Sequence, residues 1–193
     1  MATAPRIRNS ATTLEEFLRM PGIDDEPYLE FINGKIEAKV SPQKKHSLLQ
    51  GEFHDAFNRF ARPKRLGRAF IELRCTFAGR SILPDVTFLL KENILLDDQG
   101  EPIDETPVPP DIHVEIISPD KKVKKSLDKL VHSTSNGCSL GILVHPYRKT
   151  VDVVRPGLPP LRLPHDGAIS GEPVLQGFSL AVGEVFGWLK LAF

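Results

Sequence analysis

The chain has 193 residues, enough for one compact domain with a buried core. Its 25 basic and 25 acidic residues cancel, so it is not a uniformly basic nucleic-acid sponge, and 40% hydrophobic content is ordinary for a globular protein. Two cysteines without a CxxC partner argue against structural zinc and against a disulfide framework. No apolar run is long enough to span a bilayer, and no charged start leads into a signal-like stretch, so a soluble cytoplasmic protein is expected.

Residues 1–12 have no period and read as a loose arm, leaving 13–193 as a single domain. Thr13 followed by Glu16 is a capping box that opens a short helix through about Met20. Residues 28–32 and 35–40 alternate around Asn33-Gly34, the dipeptide of a tight hairpin. Ser41 or a neighbour should start the longest helix, 43–61, in which Leu49, Phe53, Phe57 and Phe60 form one stripe that Pro63 ends. Residues 68–77 and 83–90 each read as a strand, and 91–111, with four prolines, as a surface loop. Residues 112–117 read as an interior strand, 121–136 as a second helix closed by Gly137, and 140–144 with 150–155 as paired strands. The Pro- and Gly-rich stretch 156–173 reads as irregular, and a last helix should cover 183–191.

This order predicts an α/β fold with a mixed central sheet flanked by helices, an N-terminal β-hairpin and a C-terminal β/helix extension. Strands 112–117 and 140–144, joined by a helix, should run parallel.

Charge is sorted into blocks. Residues 59–68 carry five basic side chains and no acid, 121–129 carry five lysines against Asp128, and 85–120 carry ten carboxylates against Lys91. Arg62, Lys64, Arg65, Lys121 and Lys122 are therefore candidate phosphate contacts. Within the acidic block, Asp85 opens one strand and Glu115 sits inside the apolar run 112–117. A carboxylate there is costly to bury without a cation. Two such groups on neighbouring strands suit a hard ion such as Mg²⁺, with waters and substrate phosphate completing the shell. Spacing alone is equally consistent with structural ion pairs.

Pro84-Asp85-Val86, the run 110–119, Lys129-Leu130, Gly137 and Leu143-Val144-His145-Pro146 resemble the Uma-two family of restriction-endonuclease-like proteins. The segment 29–34, His46 and the closing 175–178 do so too. The resemblance implies a PD-(D/E)XK nuclease core, a restriction-endonuclease-like fold that hydrolyses DNA phosphodiester bonds with Mg²⁺, Mn²⁺ being able to substitute. It places metal ligation on Asp85 and Glu115. The lysine expected two places after the glutamate is Ile117 here, and the resemblance offers Lys129 instead. Helical phase sets Lys129 roughly 150° from the centre of an apolar stripe formed by Val123, Leu127, Leu130, Val131 and Thr134. His46, Glu30 and His113 are accessory candidates. His46 shares a face with Leu49 and Phe53, so a packed histidine is as natural a reading as a functional one.

Two classes of function stay open: a Mg²⁺-dependent endonuclease, and an inactive nuclease fold kept as a DNA-binding or protein-interaction module. Cutting both strands of a duplex suits a homodimer, for which Trp188, Leu191 and Phe193 could supply apolar contact.

Overall fold

The computed structural model describes residues 13–39, 42–119 and 123–191. The expected arm 1–12, Val40, Ser41, Asp120 and the candidate contacts Lys121 and Lys122 lie outside the described residues, as does Phe193.

Helix α1 (Leu14–Leu18) begins with both bonds of the capping box, Thr13 Oγ1 accepting from the Glu16 N–H and Glu16 Oε2 from the Thr13 N–H. It stops at Leu18, shorter than the expected Met20. Strands β1 (Leu29–Ile32) and β2 (Lys35–Ala38) form the expected hairpin, with Asn33 and Gly34 at φ 52° and 75°. Helix α2 (Lys44–Ala61) buries Leu49, Phe53 and Phe57 completely.

The next stretch departs from the alternation pattern. Instead of one strand over 68–77, the chain forms β3 (Gly67–Ile71), turns at Glu72 (φ 52°), and resumes as β4 (Cys75–Phe77) in a different sheet. The left-handed residue bends the chain out of the ladder. Instead of one strand over 83–90, a hairpin through Ala78 and Gly79 leads to β5 (Arg80–Ile82). The linker 83–85 then crosses between sheets to β6 (Val86–Leu90).

After a 3-10 turn (Lys91–Asn93) and the irregular acidic segment come β7 (Ile112–Ile116), α3 (Val123–Ser135), β8 (Leu140–His145) and β9 (Thr150–Val154). Strands β7 and β8 are parallel, as the crossover requires. The stretch expected to be irregular contains β10 (Leu161–Arg162) and β11 (Ala168–Ser170). The latter pairs with β12 (Ser179–Ala181) ahead of the short α4 (Val182–Gly187), which ends well before Leu191.

Two main sheets result. One has order β2-β1-β5-β4; the central mixed sheet has order β10-β9-β8-β7-β6-β3. Alternation sorts the central strands. Val86, Phe88, Val114, Ile116, Ile142 and Val144 pack with the α2 stripe and the C-terminal segment in the largest core cluster. Ile117, Leu143 and Val154 pack with Leu130 of α3 in a smaller cluster. Gly141 lets α3 come close: a Cβ there would lie 3.3 Å from Leu130 and Val154. Trp188 packs edge-on against Phe53 at 5.3 Å and so belongs to this core, leaving only Leu191, 58% exposed, of the apolar contacts expected at the C-terminus. No helix of the described residues is long and apolar enough to cross a membrane.

Candidate active site

The linker 83–85 passes between sheets, so its backbone has no ladder to satisfy it. Side chains do so instead: the Leu83 N–H donates to Glu30 Oε1 (2.7 Å), and the Leu83 carbonyl accepts from Lys39 Nζ (2.9 Å) and Lys129 Nζ (3.3 Å). Asp85 follows at the mouth of β6. Strand β6 pairs antiparallel with β7 through Val86 opposite Val114, and continuing that register one step sets Asp85 opposite Glu115. Both carboxylates are fully buried.

Like charges directly opposite each other repel, and cations offset that here. Asp85 Oδ1 is 3.0 Å from Lys39 Nζ; its Oδ2 accepts from the Ile116 N–H (2.7 Å) and lies 3.1 Å from His46 Nε2. Glu115 Oε1 is 2.6 Å from Lys129 Nζ and 3.1 Å from His113 Nε2. Lys129 also donates to Glu30 Oε1 at 2.7 Å. A carboxylate can only accept, so His46 and His113 each carry the Nε2 proton, and His113 Nδ1 accepts from Ser133 Oγ at 2.8 Å. Burial lowers the His113 pKa and outweighs the pull of Glu115, which keeps the ring neutral. Burial alone would lower the Lys129 pKa too, yet Glu115, Glu30 and Asp85 together raise it, so the ammonium stays charged.

The structure therefore brings together Asp85, Glu115, Lys129, Glu30, His46 and His113. It also corrects the phase assigned to α3. Lys129 is 2% exposed, on a buried face with Ser126, Leu130, Ser133 and Thr134, whereas Val123 and Val131 of the supposed apolar stripe are exposed. The helix turns a polar face inward because a polar linker and His113 lie beneath it. Three residues escaped the sequence reading. Lys39 touches Asp85; Glu72 lies 3.6 Å from Lys39; Gln50 donates to the Asp85 carbonyl (2.9 Å) and to Glu72 (3.2 Å). Only Gln50 had a signal, four residues after His46 on α2. Arg62, Lys64 and Arg65 are exposed, Lys64 lying over the Phe60 ring at 3.3 Å from its centroid.

The donors suit a hard divalent ion, which takes one or two carboxylates and fills its shell with water and phosphate. Among the described residues no group of three or more His, Cys, Asp or Glu forms a ready metal cage; carboxylate oxygens are drawn instead onto Lys39 and Lys129.

The family model for Uma2, described as "Putative restriction endonuclease", matches residues 14–183, most of the chain. This protein belongs to the Uma2 family. Among solved structures, the Uma2 chain is similar to a "putative nuclease belonging to DUF820 from Anabaena variabilis ATCC 29413". The identity is 35%, the alignment covers 92% of this chain and 99% of that one, and the TM-score is 0.88. The two share their fold. Among curated proteins there is no match.

Proposed function

We propose that this Uma2 protein is a nuclease, and specifically a metal-dependent endonuclease that hydrolyses DNA phosphodiester bonds. The observation that carries the reading is the pair Asp85 and Glu115, opposed in register on antiparallel strands and fully buried beside a charged lysine. Family membership and the likeness to the Anabaena protein support the same class of activity.

Asp85 and Glu115 are the residues to hold Mg²⁺ or Mn²⁺. Such an ion, when bound, neutralises charge on the phosphate oxygens and acidifies the attacking water. The chain's own groups do the rest. Lys129, positive and anchored between Glu115 and Glu30, aligns the water or stabilises charge developing on the phosphate. Its reach from α3 stands in for the lysine that Ile117 replaces. His113, clamped by Ser133, fixes the Glu115 carboxylate; His46 and the Ile116 N–H fix Asp85. Glu30 holds both Lys129 and the Leu83 backbone, and so ties the lysine to the strand that carries Asp85.

Ile117 and the closed ion pairs of Lys129 favour a second reading, an inactive fold that binds nucleic acid. Plasmid cleavage separates the two. Under the first reading, nicking requires Mg²⁺ or Mn²⁺, stops with chelator, and falls about 10²–10³-fold in Asp85→Asn and Glu115→Gln variants, the loss typical of removing an electrostatic stabiliser. Wild-type protein that melts cooperatively but cuts under neither ion refutes it.

A further inference from the structure

Away from the carboxylates, the exposed edge strand β3, the second half of α2 and the segment 91–102 enclose a cavity of about 660 Å³. Four cations line it: Arg62, Arg65, Arg68 and Lys91. None of the four makes an ion pair with a described residue, and no carboxylate lines the cavity. Its remaining wall is largely apolar, with Phe70 and Ile94 half-buried. The size suits a small ligand, and the mixture of fixed cations with an apolar wall suits one with a phosphate at one end and a flat ring at the other.

The edge strand suggests a rival occupant, an added peptide strand, but α2 already blocks it. Asn58 Nδ2 donates to the Ala69 carbonyl (3.3 Å) and its Oδ1 accepts the Ala69 N–H (3.0 Å), so the side chain takes the place of a neighbouring strand. Asn58 belongs to a polar row, His46, Gln50, His54, Asn58 and Arg62, spaced by four along α2. The row starts on Asp85 and reaches the cavity. At 1.5 Å of rise per residue, His54 stands about 12 Å and Arg62 about 24 Å along the helix from His46.

We propose that this cavity is a nucleotide subsite that holds the single-stranded flank of the polynucleotide whose phosphodiester meets Asp85 and Glu115. Arg62, Arg65 and Arg68 take its phosphate, and the base lies against Phe70. The subsite rests on the endonuclease reading only for the source of the nucleotide; binding itself needs no cleavage.

The test is fluorescence anisotropy on the full chain in chelator with a labelled single-stranded oligodeoxynucleotide, competed by deoxyadenosine monophosphate. The combined change Arg62→Gln, Arg65→Gln and Arg68→Gln touches only exposed side chains. It should weaken binding at least tenfold and reduce the slope of log affinity against log salt by about 2, at ~0.7 per phosphate contact. Lys190→Gln, an exposed cation far along the chain, should leave both unchanged. The proposal falls if the triple variant binds as wild type, if Lys190→Gln weakens binding equally, or if the mononucleotide binds while the oligonucleotide does not. A protein that fails to cut but shows the expected binding loses the endonuclease reading and keeps the subsite. One that cuts, with an unchanged KM in the triple variant, keeps the first and loses the second.

Discussion

Replacing Lys129 by methionine removes the one cation shared by Glu115 and Glu30, at 2.6 and 2.7 Å, while changing side-chain volume little. Both carboxylates are buried, so the variant keeps two buried charges with their main partner gone. Losing one member of a buried pair costs about 3–5 kcal/mol. In a domain of this size each kcal/mol moves the melting temperature by about 2–4 °C, so Tm should fall by roughly 6–20 °C. Adding Glu30→Gln should recover part of that loss, because the amide oxygen can still accept the Leu83 N–H while one buried charge disappears. A coupling of at least about 1 kcal/mol in the double-mutant cycle is expected. The sign with pH is fixed by the raised Lys129 pKa. A base held above its unfolded value contributes its full stability below about pH 10.4, its ordinary pKa, and loses it only as pH rises through the folded one. The cost should therefore be flat between about pH 6 and 9. Urea denaturation across that range measures it. A cost under about 1 kcal/mol, or one that vanishes by about pH 9, would show a lysine solvated on the helix surface and remove it from the site.

Two further outcomes follow from buried groups elsewhere. Burial pushes the Cys75 and Cys138 thiols up from 9.0 to about 12, so above about pH 9 the unfolded chain loses protons that the native state keeps. Stability should drop by about 1.4 kcal/mol per pH unit for each thiol, and Cys75→Ala with Cys138→Ala should flatten that alkaline limb in urea melts; an unchanged slope refutes the assignment. Asn58→Ala should cost about 1–2 kcal/mol by stripping Ala69 of both partners and should make the β3 edge associate, read as concentration-dependent light scattering; a monomer of unchanged stability would contradict the strand-mimic role.

How much of this was legible depended on how local the cause was. The capping box at Thr13, the Asn33-Gly34 turn and the phenylalanine stripe of α2 depend on residues within a few positions, and each formed where its pattern stood. The two false strands failed for the opposite reason. Alternation over 68–77 and 83–90 records that side chains point to two sides, but not that the chain changes sheets at Glu72 and across 83–85. That change is what exposes the Leu83 backbone to Glu30, Lys39 and Lys129, so the error over strands and the omission of Lys39 have one origin.

Helix α3 carries the same lesson into the site itself. Its phase was read from hydrophobicity, on the premise that the inward face is the apolar one. The face that turns inward comprises residues 126, 129, 130, 133 and 134, a complete helical face with Leu130 at its centre and small hydroxyl residues around Lys129. Ser126, Ser133 and Thr134 are too small to hold α3 away from the sheet, and Gly141 beneath them clears space for Leu130. A long lysine surrounded by small residues can lie inward along the helix and bring its ammonium to Glu115, whereas bulkier neighbours would fill that path. The exposed Val123 and Val131 are the cost of this orientation: some apolar burial is given up so that a charge can meet two carboxylates. Glu115 had a visible sequence signal because a charge inside an apolar strand needs a partner. The partner's signal was the small size of its neighbours, which hydrophobicity does not measure.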